Sequence, residues 1–285
     1  MDIIKLVNSL KKFLESRYVY LLMLFIIILL LIIRIIPIDV RIDNSINLSD
    51  TKLNMDDKIH YLYWTGGFDS TYRLCEMLII EKKKVQPIYV TLPLDNDCKS
   101  EESCNKLWVR RNRNEENKAL NKIRAELHKH FSYTKRTLLP LIKINKEIED
   151  DQFNIDYDKK FMALSIWPKK RKKHQYLFLS KFAYYHKKYI DVGVLGIHNK
   201  SGFGIFLKEN LVRQQDNFRV NDINHPLGYL QFPLYGKTKL DLLETAIDHK
   251  FENILVHSWS CWFPKKGKPC GKCPMCKERI IVHPE

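Results

Sequence analysis

Residues 61–71, YLYWTGGFDST, constrain the fold most, because an apolar run stops at two glycines followed by hydroxyl and acidic side chains. The β-branched and aromatic residues from Ile59 to Trp64 predict a buried strand, and the segment from Thr71 to Lys82 has the apolar spacing of a helix. Gly66 and Gly67 are therefore predicted at a strand-to-helix turn, where backbone N–H groups converge on an anion. An ordinary strand-to-helix loop is the alternative.

A second glycine-containing segment, Gly236-Lys237-Thr238, looks like the end of a Walker P-loop. It is not one, because Gln231 stands where the first glycine is needed.

The segment from Thr65 to Thr71 resembles the Ser-Gly-Gly-x-Asp-Ser signature of the PP-loop ATP pyrophosphatases, with Thr65 keeping the hydroxyl of the first serine. This resemblance implies that the loop holds the pyrophosphate of ATP. It makes Asp69 and Ser70 the predicted catalytic residues of the loop. The predicted ATP-binding residues of the loop are Thr65, Gly66, Gly67, Phe68, Asp69, Ser70 and Thr71.

Strand and helix patterns alternate after the loop. Strands are predicted over 86–92, 134–144, 190–197 and 253–257, and helices over 114–131, 175–188 and 240–248. This alternation predicts an α/β fold with a doubly wound, mostly parallel sheet. Ligands bind at the carboxyl ends of the strands in such sheets, which is where Gly66 and Gly67 are expected.

The chain of 285 residues carries 48 Lys and Arg against 33 Asp and Glu, a net charge of +15. This excess predicts attraction to phosphates of nucleotides, nucleic acids or anionic lipids. Nucleic acid is not favoured among these partners, because aromatic residues are not interleaved with the basic runs at 108–113 and 167–173.

Residues 18–38 form the most apolar segment, and they are long enough to cross a bilayer if Arg34 extends to the interface. A cleaved signal peptide is less favoured, since no small-residue cleavage site follows. The sequence predicts a polar segment over 1–17, a transmembrane anchor over 18–38, a tether over 39–57, an ATP-binding domain over 58–257 and a zinc-binding segment over 258–285.

The orientation of this anchor is contested by two features. The lysines and arginine before it weakly favour a cytosolic amino terminus. ATP use and reduced cysteines instead favour a cytosolic location for residues 40–285. We give the chemistry more weight and predict a single-pass membrane protein whose catalytic domain faces the cytosol.

Four of the seven cysteines lie within 261–276, spaced Cys-x8-Cys-x2-Cys-x2-Cys. Cys261, Cys270, Cys273 and Cys276 match tetrahedral thiolate coordination of Zn2+. Four protein ligands would make the site closed and structural. Disulfide bonds are one alternative, but they are not expected in a reducing compartment such as the cytosol. An iron–sulfur cluster is a second alternative.

The PP-loop and the four cysteines together resemble the 7-cyano-7-deazaguanine synthase family of queuosine biosynthesis, over about residues 57–282. Further matches lie at Tyr176–Ser180, Leu195–Ile197, Ser201–Phe203 and Thr238–Lys239, and across the cysteine segment.

The resemblance implies adenylation of a small carboxylate, release of pyrophosphate, and transfer to a nitrogen nucleophile. It implies ATP, Mg2+ and Zn2+ as cofactors. Lys239 is the implied catalytic cation and Lys237 a further ATP-binding one. A homodimer is compatible with the sequence.

The chain departs from this family on the substrate side. Lys173-His174-Gln175 replaces Gly-Arg-Asn, and the family's Asp-Tyr-Gly-Gln stretch is missing around Leu92–Asp95. ATP binding and the zinc site are therefore expected to carry over from the family, whereas the identity of the acid does not, and it is 7-carboxy-7-deazaguanine or a related acid. Two other interpretations stay open: a PP-loop enzyme that modifies tRNA, and an inactive membrane-tethered nucleotide-binding module.

Overall fold

The computed structural model describes residues 59–91, 112–164, 175–196, 202–214 and 217–277. The strands in these ranges are β1 Ile59–Tyr63, β2 Lys84–Val90, β3 Ile142–Ile144, β4 Ile190–Val192, β5 Leu211–Gln214, β6 Asn217–Val220 and β7 Leu230–Gln231. The helices are α1 Phe68–Cys75, α2 Arg113–His130, α3 Thr134–Thr137, α4 Asp151–Ala163, α5 Gln175–His186, α6 Gly202–Asn210, α7 Lys239–Asp248 and α8 Glu252–Leu255.

The described strands form one sheet in the order β3-β2-β1-β4-β7-β6-β5. The first five strands in this order, β3, β2, β1, β4 and β7, are parallel to one another. Strands β6 and β5 extend the sheet at one edge and are antiparallel. The chain leaves β1 for β2 on one side and later returns to β4 on the other. Strand order therefore reverses between β1 and β4, and the crevice beyond their carboxyl ends is the expected ligand position.

Helices cover both faces of the sheet. Leu62 and Trp64 of the first strand segment lie in a buried cluster with α1, α2, α7 and α8. Tyr61 and Tyr63 point to the opposite cluster, which includes residues of α4, α5 and α6. Tyr61, Leu62 and Tyr63 of β1 are all buried, so β1 is apolar on both faces after His60, as is typical of a central parallel strand. The predicted α/β fold is confirmed, and the described sheet is mixed, with four parallel and two antiparallel strand pairs.

Two predicted strands were wrong in part or whole. Most of the segment over 253–257 belongs to helix α8, which ends at Leu255, because Phe251, Ile254 and Leu255 are buried at helical spacing and do not alternate. The extended prediction over 134–144 holds only for β3 at its end. Thr134–Thr137 is a helical turn, and Pro140, which has no N–H to donate, lies between it and the strand.

Other elements differ in extent or were not predicted. Helix α1 begins at Phe68, three residues before the predicted start, and continues as a π-helical turn, Glu76–Ile80. The elements α4, α6, β5, β6 and β7 were not predicted. The antiparallel strands are only two to four residues long, which leaves little room for a periodic signal.

Among the helices of the described residues, none combines the length and apolar character needed to cross a bilayer. The predicted anchor over 18–38 and the tether over 39–57 lie outside those residues. They and the domain boundaries remain predictions.

Candidate nucleotide loop and four-cysteine centre

Gly66 forms the turn between β1 and α1 in a conformation that favours glycine. Its φ is +72°, in the left-handed region, and a Cβ there would lie 3.2 Å from the backbone oxygen of Glu116 and 3.4 Å from Ala119 Cβ. Any larger residue would be strained and would also press against α2. The turn therefore lies closely on α2.

Gly67 is the N-cap of α1 and has no side chain with which to cap the helix. The helix closes with Thr71 N–H donating to Gly67 O at 2.9 Å. The first turn of α1 thus lies at the carboxyl end of β1 and has no capping side chain. Together with the helix dipole, this leaves the start of α1 suited to an anion such as a phosphate.

Two hydroxyl groups brace the loop from within. Ser70 Oγ lies 3.3 Å from both Thr65 N, which donates to it, and Thr65 Oγ1, and it donates to Gly67 O at 3.2 Å. Gly67 N–H donates to Thr65 Oγ1 at 3.4 Å. The predicted residues Thr65, Gly67 and Ser70 are therefore brought together as one hydrogen-bonded turn.

The remaining predicted loop residues have different surroundings. Thr71 is fully buried, and its Oγ1 accepts a hydrogen bond from Trp64 Nε1 at 3.2 Å. Phe68 is buried among the apolar residues beside α2. Asp69 is half-buried, and its Oδ1 is shielded from solvent. Thr71 and Phe68 thus anchor the start of α1 in the core.

The end of β4 touches the same helix start. A Cβ on Gly193 would lie 2.8 Å from Ser70 N and 2.9 Å from the carbonyl carbon of Asp69. Contacts this short do not occur for a real side chain, so a glycine is needed for β4 to approach α1. The loop is therefore held between α2 on one side and the end of β4 on the other.

The two predicted lysines lie at the start of α7. Thr238 is the N-cap of this helix in a capping box with Asp241, and half-buried Lys239 is its first residue. Lys237 Nζ donates to Glu76 Oε1 at 2.6 Å, and Glu76 follows Ser70 by six positions along the helix. The structure thus pairs Lys237 with Glu76, which lies beyond the loop residues along the helix.

Three polar residues behind Gly66 were not predicted. Glu116 is buried, and its carboxylate accepts hydrogen bonds from Tyr89 OH and from Asn112 Nδ2, the second at 2.8 Å. Burial and the neighbouring Glu116 carboxylate raise the pKa of Tyr89 far above its usual range. Glu116 lies in a charged helix that reads as exposed, so the sequence carried no signal for this cluster.

A buried ion network lies further along α1. Arg73, 5 % exposed, bonds Asp191 of β4 at 2.8 Å, Glu76 at 2.6 Å and Glu81. Burial raises the pKa of Asp191 although Arg73 opposes the rise. Burial also acts to raise the pKa of Glu81, but hydrogen bonds from Arg73 and Lys83 outweigh it and lower that pKa. This network ties α1 to β4 beneath the loop.

The four predicted cysteine ligands converge. Their Sγ atoms all lie within 4.8 Å of one another, with 3.9 Å between Cys270 and Cys276 and 3.5 Å between Cys273 and Cys276. A Zn–S bond of about 2.3 Å implies sulfurs about 3.8 Å apart in a tetrahedron. The spacing fits a zinc ion, which the cluster could hold, and Gly267 and Gly271 make left-handed turns that allow it.

The thiols of this cluster differ in acidity. Burial acts to raise the pKa of Cys270, but backbone N–H groups of Lys272 and Cys273 point at its sulfur and the pKa is lowered to about 7. Burial raises the pKa of Cys261 and of Cys276. A bound cation would favour the thiolate form of all four.

The cysteine segment is joined directly to the glycine turn. Trp259 N–H donates to Gly66 O at 2.8 Å, and the indole Nε1 of Trp259 donates to Cys261 O at 2.8 Å. One residue therefore connects the nucleotide loop to the first cysteine ligand. The loop and the cysteine segment are far apart in sequence, so local sequence patterns could not predict this contact.

A model of the family described as "Queuosine biosynthesis protein QueC" matches residues 214–282. This stretch contains Lys237, Lys239 and all four cysteines, and the chain is similar to that family there. No curated protein matches the chain.

Proposed function

We propose that this chain is an ATP-dependent ligase of the 7-cyano-7-deazaguanine synthase type. The main support is the hydrogen bond between Trp259 and Gly66, because it joins the family-like cysteine segment to a PP-loop turn outside the matched stretch. The match and the loop therefore belong to a single folded unit.

In the proposed reaction a carboxylate oxygen attacks the α-phosphorus of ATP. The bond from that phosphorus to pyrophosphate breaks, and an acyl adenylate forms. A nitrogen nucleophile then attacks the acyl carbon and displaces AMP. The acid is 7-carboxy-7-deazaguanine or a related compound.

The residues of the chain meet the electrostatic demand of this step, since negative charge gathers on the departing pyrophosphate. The start of α1 and Ser70 would bind its oxygens, and Lys239 would neutralise charge. Asp69 would hold Mg2+, which supplies further neutralisation. Zinc would hold the cysteine segment in shape.

The test measures pyrophosphate released from ATP by the full chain with 7-carboxy-7-deazaguanine, with tRNA and with no acceptor. We expect release only with the deazapurine acid, and strong loss in Asp69→Asn. Release that depends on tRNA would replace this proposal with a tRNA-modifying enzyme. ATP binding with no release under any condition would leave a nucleotide-binding module.

A further inference from the structure

A cluster of lysines lies at the amino-terminal ends of the central strands, at the end of the sheet opposite to the nucleotide loop. The loop follows the carboxyl end of β1, whereas these lysines precede or begin β2 and precede β4, and so lie at the amino ends of parallel strands. We name this cluster the basic rim, and it consists of Lys82, Lys83, Lys84, Lys187 and Lys188.

The strand register places the turn before β2, which contains Lys82 and Lys83, at the same height along the strands as the turn before β4, which contains Lys187 and Lys188. Ile59 pairs with Lys84, and Tyr61 pairs with Ile190, so residues 187–189 stand beside the first residues of β1. Neighbouring strands are about 4.8 Å apart, which separates the two turns by about 10 Å. The lysines of the basic rim therefore lie along the same end of the sheet, and Lys82, Lys84 and Lys187 are exposed there.

Among the described residues, the acidic side chains nearest to the rim are paired below it. Glu81 is bonded by Lys83 at 2.6 Å and by Arg73, and buried Asp191 is bonded by Arg73. Arg219 Nη1 donates to Tyr189 OH at 3.0 Å beside the rim and adds a further cation. Counted over the residues that the structure describes, this surface carries an excess of positive charge.

Two of these lysines occupy positions where glycine is more stable. Lys82 and Lys187 have φ of +54° and +52°, and each follows the end of a helix, where a left-handed residue is usually glycine. A cation near a helix carboxyl terminus gains from the dipole, which accounts for one lysine in each turn. It does not account for Lys84 and Lys188, which lie beyond the helices.

We propose that the basic rim docks on the surface of an anionic lipid bilayer. In the described residues β1 begins at this end of the sheet, so the preceding part of the chain, which contains the predicted anchor, joins the domain here. Tyr185 and Tyr189, 46 % and 40 % exposed, add the amphipathic rings that favour a membrane interface. Docking turns the nucleotide loop, at the other end of the sheet, away from the lipid.

The test is lysine acylation of the unaltered full chain, read residue by residue by mass spectrometry. The chain is placed in nanodiscs of phosphatidylcholine alone or with phosphatidylserine, which leave both bilayer faces accessible. Lys118, Lys122 and Lys160, exposed on α2 and α4, serve as internal controls in the same sample. A third sample contains a single-stranded RNA oligonucleotide and no lipid.

We expect acylation of Lys84, Lys187 and Lys188 to slow by about fivefold or more with phosphatidylserine, since each juxtamembrane lysine gains about that factor in affinity. High salt should restore the rate, and the control lysines should not change. Equal rates in both lipids, equal slowing of the controls, or protection by RNA as strong as by lipid would overturn the proposal.

Discussion

The backbone N–H of Trp259 donates a hydrogen bond to the carbonyl of Gly66 at 2.8 Å. The residue that follows β1 and the residue that leads into the cysteine segment are nearly two hundred positions apart in the chain. Any loosening of the cysteine segment should therefore reach the turn that is proposed to bind ATP.

The first prediction concerns the metal. Cys273→Ser removes one of four thiolates, so we expect loss of bound zinc, a lower melting temperature and at least about tenfold weaker ATP binding. Metal content by mass spectrometry and ATP titration check this. Cys75→Ala is the matched control, because Cys75 is buried away from the cluster and its change should cost stability alone. Full zinc content with unchanged ATP affinity in Cys273→Ser would contradict the coupling.

The second prediction separates backbone strain from contact at the turn. Gly66→Ala and Gly267→Ala both place a side chain at positive φ, which costs about 1–2 kcal/mol. Only Gly66 also has Glu116 O within 3.2 Å, whereas nothing lies within 4 Å of Gly267. We expect Gly66→Ala to be the more destabilising in urea denaturation and to weaken ATP binding. Equal effects of the two changes would mean that contact with α2 is unimportant.

The third prediction concerns the hydroxyl of Thr65. Thr65→Val keeps the shape but removes the oxygen that lies 3.3 Å from Ser70 Oγ and accepts from Gly67 N–H. We expect loss of about 1 kcal/mol of stability and a larger loss of ATP affinity. Thr65→Ser keeps the hydroxyl and should restore most of the affinity. A serine variant as weak as the valine variant would show that the methyl group, and not the hydroxyl, is needed.

The fourth prediction concerns the buried ions. Arg73→Met leaves buried Asp191 without its bonded cation and removes one of the two cations bonded to Glu76, which should cost about 3–5 kcal/mol. Lys83→Met is the control, since it removes only the partly exposed pair with Glu81 and should cost at most about 1 kcal/mol. Urea denaturation of both variants measures the difference. Similar costs for the two changes would rule out a special role for Arg73.

The same variant should show a defined pH dependence. Burial already raises the pKa of Asp191 in the folded protein against the opposing effect of Arg73, so loss of Arg73 should raise this pKa further. A folded-state pKa above the unfolded value of about 3.9 means that the folded protein binds the proton more tightly. Arg73→Met should therefore regain stability as the pH falls from 7 towards about 4. A loss of stability over that range, relative to the unaltered protein, would contradict this sign.

The fifth prediction tests the left-handed lysines. Helix α5 ends with Lys187 N–H donating to Tyr184 O and Lys188 N–H donating to Ala183 O, which is a Schellman motif with lysine at the usual glycine position. Lys187→Gly should stabilise the protein by up to about 1 kcal/mol. Lys188→Gly, at a position without positive φ, should give no gain in the same thermal melts. Gain in both or in neither would refute the strain at Lys187.

Much of the architecture could be predicted from the sequence because its signals are local. The strand at β1, the helix from Lys239 and the four converging cysteines depend on apolar spacing, on turn residues and on ligand spacing. The short strands β5, β6 and β7 could not be predicted, because two to four residues carry no periodic pattern.

The sequence by itself determined the chemical groups of the candidate site: two glycines, the hydroxyls of Thr65 and Ser70, and four thiols. Only the tertiary structure decided which groups meet. It placed Gly193 against Ser70, buried Glu116 behind Gly66 and bonded Trp259 to the turn. It also paired Lys237 with Glu76. These contacts join residues on different strands and helices, so they follow from sheet order and helix packing and leave no trace in local spacing.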